Sequence, residues 1–354
     1  MKLTERDCTL LALEHKDTPW VPATDTGQDS CIPTVLEEGA RGYGITTDWF
    51  GVKYLLRPDQ PGPMPVESEP KIEDIEDWKD VVTFPNLDEY DWEGCAARDT
   101  AKWDRENKVS NIILINGMFE SLHMFCGFEN ALCNIITSEE ACYDFMGAMA
   151  DYKIEVIRRV KKYYNADKIQ FHDDYANNDA LFMDIARWRR LIKPHLKRVV
   201  DATHECGMYY EHHSCGKIHD LVGELTELGV DALNPVQIQN NPKKLKDMYG
   251  DILTLSGGFD NQGCLDRPDA TRQEIEDSLR NTLEVMAPGG KWIARVSFLD
   301  KAKDQIWLDV LDEYNRPLKE KYGVKWTRHQ ATGKDLYDLS QRTGSTRRTE
   351  QSIQ

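Results

Sequence analysis

Residues 209–216 read YYEHHSCG, with Glu211, His212, His213 and Cys215 inside five positions. Side chains alternate faces along a strand, so Glu211, His213 and Cys215 share one face while Tyr210, His212 and Ser214 share the other. An imidazole and a thiolate two positions apart can reach one point, and that donor pair suits Zn²⁺. Two donors do not make a site. The rest must come from other segments, and by residue type Asp174, Asp260, Cys264 and Glu211 are the candidates. The competing reading is a row of buried polar side chains satisfied by hydrogen bonds.

Donors from distant segments converge only if those segments end at one place. Strand-like apolar runs occur at 111–116, 168–173, 208–214, 230–234, 252–256 and 291–297, with an early one at 20–26. Amphipathic helical patterns lie between them. Thr137 to Glu140 and Thr271 to Glu274 both read as capping boxes, and Thr4 reads as the cap of an N-terminal helix. Strands alternating with helices predict a parallel sheet, and seven strands in a chain this long favour a closed (β/α)8 TIM barrel. An eighth strand is expected within 40–110. No Gly-x-Gly-x-x-Gly follows an early strand, which opposes a dinucleotide-binding fold. One barrel domain over 1–335 is expected, with an irregular Pro- and acid-rich excursion near 55–95 and a polar tail at 336–354.

Barrel enzymes place catalytic groups at the C-terminal ends of their strands. Four successive strand ends here carry such residues: His172-Asp173-Asp174, His213-Ser214-Cys215, Asn234-Pro235-Val236-Gln237, and Asp260-Asn261-Gln262 after Gly257-Gly258. Each alone has a plain structural reading. Asp173 or Asp174 can cap the next helix, Asn234 can serve a turn, and Cys264 can be a small buried apolar side chain.

Composition excludes several function classes. The net charge of −17 opposes nucleic-acid binding and attraction to anionic membranes. Residues 67–93 hold 11 acids against Lys71 and Lys79, a solvated surface or a face for a protein partner. No apolar run approaches a membrane span, and the charged first 17 residues read as a helix instead of an export signal. Nine cysteines without disulfide-type spacing are expected to be reduced thiols of a cytoplasmic protein.

Longer stretches carry a resemblance. LTERDCTLLALEHKDTPWVP near the start, DWFGVKY at 48–54, GFENALCNIITSEEACYDFM and FHDDYANNDALFMD are similar to the uroporphyrinogen decarboxylase superfamily. The most specific part is the order HSCG, GVDALNPVQ, LKDMYGDILTLSGGFDNQGCL and PGGKWI, which resembles its cobalamin-dependent methyltransferase branch. The resemblance implies a (β/α)8 barrel with its site at the strand ends. The decarboxylase branch has an N-terminal arginine-rich segment for its polycarboxylate substrate. This chain has VPATDTGQDSC there, with Asp25 and Asp29 and no arginine, which disfavours decarboxylation.

The methyltransferase branch implies zinc on a His-x-Cys pair, matched by His213 and Cys215, and on a later cysteine. That cysteine is absent; Ser297 stands near its place. The departure favours a methyltransferase of the O-demethylation type, moving methyl from a methoxylated aromatic to the Co(I) of a separate corrinoid protein. No Asp-x-His-x-x-Gly signature is present, so the corrinoid belongs to a partner. In this reading Asp174 or Asp260 supplies an oxygen ligand, His172 a proton, and Asn234, Gln237 and Gln262 orient the substrate, with a homodimer as a possible assembly. The alternatives are methyl transfer from the corrinoid to a thiol or tetrahydrofolate, or a non-catalytic binding barrel.

Overall fold

A computed structural model describes residues 3–57, 62–332 and 346–348. Seven parallel strands form the main sheet: β1 (Gln28–Cys31), β5 (Val109–Leu114), β6 (Lys168–His172), β7 (Tyr209–His213), β8 (Ala232–Val236), β9 (Thr254–Gly257) and β10 (Trp292–Ile293). A separate antiparallel sheet holds β2 (Gly44–Thr47), β3 (Lys53–Leu56) and β4 (Met64–Pro65). All residues of β5 and β6 are buried, as expected of parallel strands covered by helices on their outer side.

The sheet curls until its edges meet. Ala23 forms a parallel bridge to Ala294, with Thr24 N–H donating to Ala294 O at 3.0 Å and Ala294 N–H to Pro22 O at 2.8 Å. The segment leading into β1 therefore closes onto the segment leaving β10, which makes the architecture a TIM-like barrel. Two expectations need correction here. The run at 20–26 contributes only the Ala23 bridge before a helical turn, Thr24–Gly27, interrupts it. The missing strand is β1, not a stretch within 40–110, because residues 44–65 pair with one another.

Helix starts follow the local chemistry in two cases out of three. Thr4 with Asp7 and Thr271 with Glu274 both form capping boxes, heading Glu5–Leu13 and Arg272–Met286. The box expected at Thr137 does not form. Thr137 instead ends the helix Phe128–Thr137, its hydroxyl donating to Cys133 O at 3.1 Å, and Ser138 leads into Glu139–Tyr164 without a side-chain cap.

The N-terminal helix plugs the barrel end opposite the strand C-termini. Ala12 and Leu13 pack with Ala232 and Ile293, and Arg6 forks onto Asp167 just before β6 at 2.5 and 2.7 Å. The other end is left as the place where strand-end side chains meet solvent. Of the polar C-terminal segment, Thr346–Arg348 lie against residues 89–91, with Asp91 N–H donating to Thr346 O at 2.9 Å. Most of 336–354 lies outside the described residues.

Candidate metal centre

β6, β7 and β8 are neighbours, and their register aligns His172 with His213 and His213 with Asn234. Three inward-facing polar residues thus occupy one layer at the mouth. The imidazoles of His172 and His213 stack at 3.7 Å with planes 5° apart. His213 Nδ1 lies 3.0 Å from Asn234 Oδ1. A carbonyl oxygen only accepts, so Nδ1 carries the proton and Nε2 keeps its lone pair.

That lone pair faces the loops beyond the strands. Cys215 Sγ is 3.5 Å from His213 Nε2, and Asp174 Oδ1 is 4.0 Å from it. Cys215 N–H donates to the same Asp174 oxygen at 2.7 Å, tying the two loops together. Asp174, His213 and Cys215 form a cluster whose potential ligand atoms all lie within 4.8 Å of one another. Tetrahedral zinc bonded to nitrogen and sulfur separates those two atoms by about 3.6 Å. The His–Cys spacing fits directly, and Asp174 Oδ1, 4.0 Å from the imidazole nitrogen, is the third donor within reach of the same point. Three donors with one position open is the pattern of a catalytic zinc.

Burial sets the protonation states. It lowers His213 well below the usual imidazole value, helped by His172 and Arg295, and it holds His172 at about 3. The Cys215 thiol is raised by burial and then by the charge of Asp174, while Asp174 is itself pushed up to about 6, chiefly by burial. Without a cation the site holds neutral rings and a protonated thiol. A dication would reverse the balance for the thiol and the acid.

The adjacent acid does something else. Asp173 accepts from Met118 N at 3.2 Å, Glu120 N at 2.8 Å and the Tyr175 hydroxyl at 2.8 Å, so it caps the helix Met118–Cys126. The approach needs Gly117, since a Cβ there would sit 2.5 Å from Asp173 Cβ.

The remaining candidates scatter. Glu211 points into the barrel and pairs with Lys168, both wholly buried. Gln237 Oε1 accepts from Gly216 N at 2.5 Å and so braces the turn after Cys215. Asp260 accepts from Gly263 N at 2.9 Å and Cys264 N at 3.4 Å, capping the turn Asn261–Leu265. Gln262 is exposed and reaches Asn178 at 3.4 Å. Cys264 donates to Glu274 O at 3.5 Å. Ser297 is exposed, its carbonyl accepting from Asn261.

Three features escaped the sequence reading. Arg295 follows Ala294 at the last strand end, and its charge acts on His172, His213 and Cys215; the strand-end rule could have found it. Glu120 accepts from Asn116 N at 3.0 Å and Asp174 N at 3.2 Å. Burial, then Asp174 and Asp173, raise its carboxyl well above the usual range. No spacing signal marks it. An aromatic group joins the same helix and loop: Phe119 and Phe182 at 6.0 Å, Phe128 and Phe182 at 5.1 Å, His123 and Phe128 at 5.5 Å.

A methyltransferase from Methanosarcina mazei matches with a TM-score of 0.67 over 88% of this chain and 99% of its own, at 13% identity, which shows a shared fold. Old Yellow Enzyme from Pichia sp. AKU4542 reaches a TM-score of 0.39 at 11% identity, covering 96% of this chain and 82% of its own. No curated protein matches. The uroporphyrinogen decarboxylase (URO-D) family description matches residues 48–298, most of the chain, and the protein belongs to that family.

Proposed function

We propose that the protein moves a methyl group from a methylated small molecule, of the methoxylated aromatic type, to the Co(I) of a corrinoid carried by a separate protein. The observation that supports this reading is the grouping of a carboxylate, an imidazole and a thiol at the barrel mouth, with the imidazole's free nitrogen turned toward the other two. Zn²⁺ held by Asp174, His213 and Cys215 would supply Lewis acidity toward the ether oxygen.

The chain's own residues do the rest. The half-buried Phe128 and Phe182, with the fully buried Phe119 packed behind Phe182, offer an aromatic wall for an aryl ring beside the loop that bears Asp174. The methyl carbon would pass to the partner's corrinoid as its bond to oxygen breaks, with the bonding electron pair left on that oxygen. Arg295 adds positive charge at the mouth where that oxyanion develops. Glu120, whose surroundings favour its protonated form, is a proton source for it. His172 is neutral in these surroundings, so its part is to stack on His213 and hold the ring in place. Uroporphyrinogen decarboxylation is disfavoured. The segment 21–31 carries no arginine for a polycarboxylate; its Asp25 is bound by Trp307 Nε1 at 2.9 Å, and Asp29 pairs with Lys108 at 3.4 Å at the strand start, away from the mouth.

The reading includes a cytoplasmic setting, in keeping with cysteines that form no disulfide among the described residues; no helix among the described residues is long and apolar enough to cross a membrane. The test is zinc analysis together with methyl transfer from veratrol or vanillate to free cob(I)alamin, followed by loss of the Co(I) absorbance. One zinc per chain and transfer abolished in both His213→Ala and Cys215→Ala are expected. Zinc well below one per chain, with ligand binding intact in Cys215→Ala, overturns the proposal in favour of a non-catalytic barrel. Transfer only from methyl-cobalamin to a thiol or tetrahydrofolate would reverse its direction.

A further inference from the structure

The barrel interior below the cluster holds a charge pair that the proposed chemistry does not use. Lys168 opens β6 and Glu211 lies in the middle of β7; both side chains have 0% exposure. Lys168 Nζ donates to Glu211 Oε2. The other carboxylate oxygen, Oε1, accepts from Asn234 Nδ2 at 3.4 Å. Asn234, also fully buried, presents its Oδ1 to His213 Nδ1 at 3.0 Å, and His213 Nε2 faces Cys215 Sγ at 3.5 Å. These side chains form one line from the barrel interior to its mouth.

We infer that Lys168 and Glu211 are positioning residues that fix which tautomer of His213 faces the cluster. A carboxamide turned by 180° has nearly the same shape, so packing alone does not choose its orientation. A carboxylate beside it does choose, because it only accepts. Glu211 draws the NH₂ of Asn234 toward itself and leaves Oδ1 for His213. That oxygen holds the proton on Nδ1 and keeps Nε2 bare. Lys168 compensates the Glu211 charge, which would otherwise be buried alone at great cost. The reverse amide orientation would put an N–H donor against Nδ1, force the proton onto Nε2 and close the nitrogen that points at Cys215 and Asp174. This deepens the zinc reading of the site, and it rests on that reading only for its consequence in metal binding.

Three variants test it. Glu211→Gln removes the acceptor-only group while conserving shape. Glu211→Gln with Asn234→Asp exchanges the two groups, so that an amide at position 211 donates to a carboxylate at position 234, and that carboxylate accepts from His213. Lys168→Met leaves the carboxylate uncompensated. The first measurement is the His213 tautomer in the metal-free protein, read from its ¹⁵N ring shifts. The native chain is expected to show a single Nδ1–H form, Glu211→Gln a mixture, and the exchanged pair the single form again. The second is zinc affinity by chelator competition, with a loss of about 10- to 100-fold in Glu211→Gln and recovery to within about threefold in the exchanged pair. The melting temperature separates orientation from folding, since a merely structural pair would lower it without moving the tautomer. If Glu211→Gln does not fold, the exchanged pair and Lys168→Met carry the test.

A folded Glu211→Gln that keeps the pure Nδ1–H form and native zinc affinity overturns the inference. So does an exchanged pair that folds yet shows the Nε2–H form. If the native chain binds no zinc, the metal reading fails, and the ring shifts still decide whether the relay sets the tautomer.

Discussion

Two strand ends of this barrel look alike on paper and behave differently in space. Around the ends of β6 and β7 stand an acid, a histidine and a cysteine: Asp174, His213 and Cys215. After β9 stand an acid, an amide and a cysteine: Asp260, Gln262 and Cys264. The first group converges on one point, with its histidine buried and its acid bonded to the backbone of its cysteine. The second spends its acid on capping a turn, its amide on a surface contact and its thiol on a carbonyl. Donor type is thus a poor guide by itself. Convergence requires adjacent strands in register, which β6, β7 and β8 have. It also requires that the acid's backbone bonds not draw it out of the cluster: Asp260 gives Oδ1 to Gly263 N–H and Oδ2 to Cys264 N–H within its own turn, whereas Asp174 accepts its backbone N–H from Cys215, inside the cluster. Glycine at position 263 frees the backbone to fold onto Asp260, where a Cβ would lie 2.3 Å from Oδ2.

The sharpest way to break this contrast is to change both cysteines to serine. Cys215→Ser is expected to lower methyl transfer by at least about 1,000-fold and to strip zinc, because the soft ligand of the set is lost. Cys264→Ser should leave zinc content and rate within about twofold. Equal losses in the two variants would dissolve the distinction.

The next test is pH. In the metal-free protein the Cys215 thiol is raised and stays protonated near neutrality, while His213 is lowered and has no proton to lose from Nε2. Zinc binding above about pH 6.5 should therefore release one proton, and log affinity should rise by about one per pH unit. Below about 6 Asp174 is also protonated, so the slope should steepen toward two. Isothermal titration in buffers of different ionisation heat would count these protons. A flat profile would remove the thiolate from the ligand set.

A smaller effect is expected at the other strand end. Asp260→Ala removes the cap of Asn261–Leu265 and should cost about 1 kcal/mol, with zinc unchanged. Denaturant melts read the stability and metal analysis reads the rest. Gln262→Ala, at the exposed rim, should fall within about 0.5 kcal/mol of the parent chain.

Much of this was legible beforehand, for a physical reason. The two-residue alternation of a strand places Glu211 and His213 on one face, with Cys215 two positions further on in the loop, and the buried parallel strands announce themselves as apolar runs. Less legible was anything set by neighbours distant in sequence. Asp173 and Asp174 are identical side chains on consecutive residues. Only the helix that docks its N-terminus on Asp173 decides that one caps and the other faces the cluster. Arg295 is no ligand type, and its influence on His172, His213 and Cys215 depends on the strand β10 that brings it to the mouth. The closing strand was misplaced because a four-residue run of Gln, Asp, Ser and Cys has no apolar signature, and its place comes from pairing with β5.

Gly216, at φ +83°, packs so closely that a Cβ there would lie 2.4 Å from the carbonyl oxygen of Ala176. Lys217 N–H then donates to Asn177 O at 2.7 Å. The loop bearing Cys215 and the loop bearing Asp174 are therefore interlocked by their main chains, and an ion arriving between them would meet two loops already fixed to each other. Little conformational freedom remains to be surrendered on capture, so affinity there depends on the donors themselves and hardly at all on loop closure.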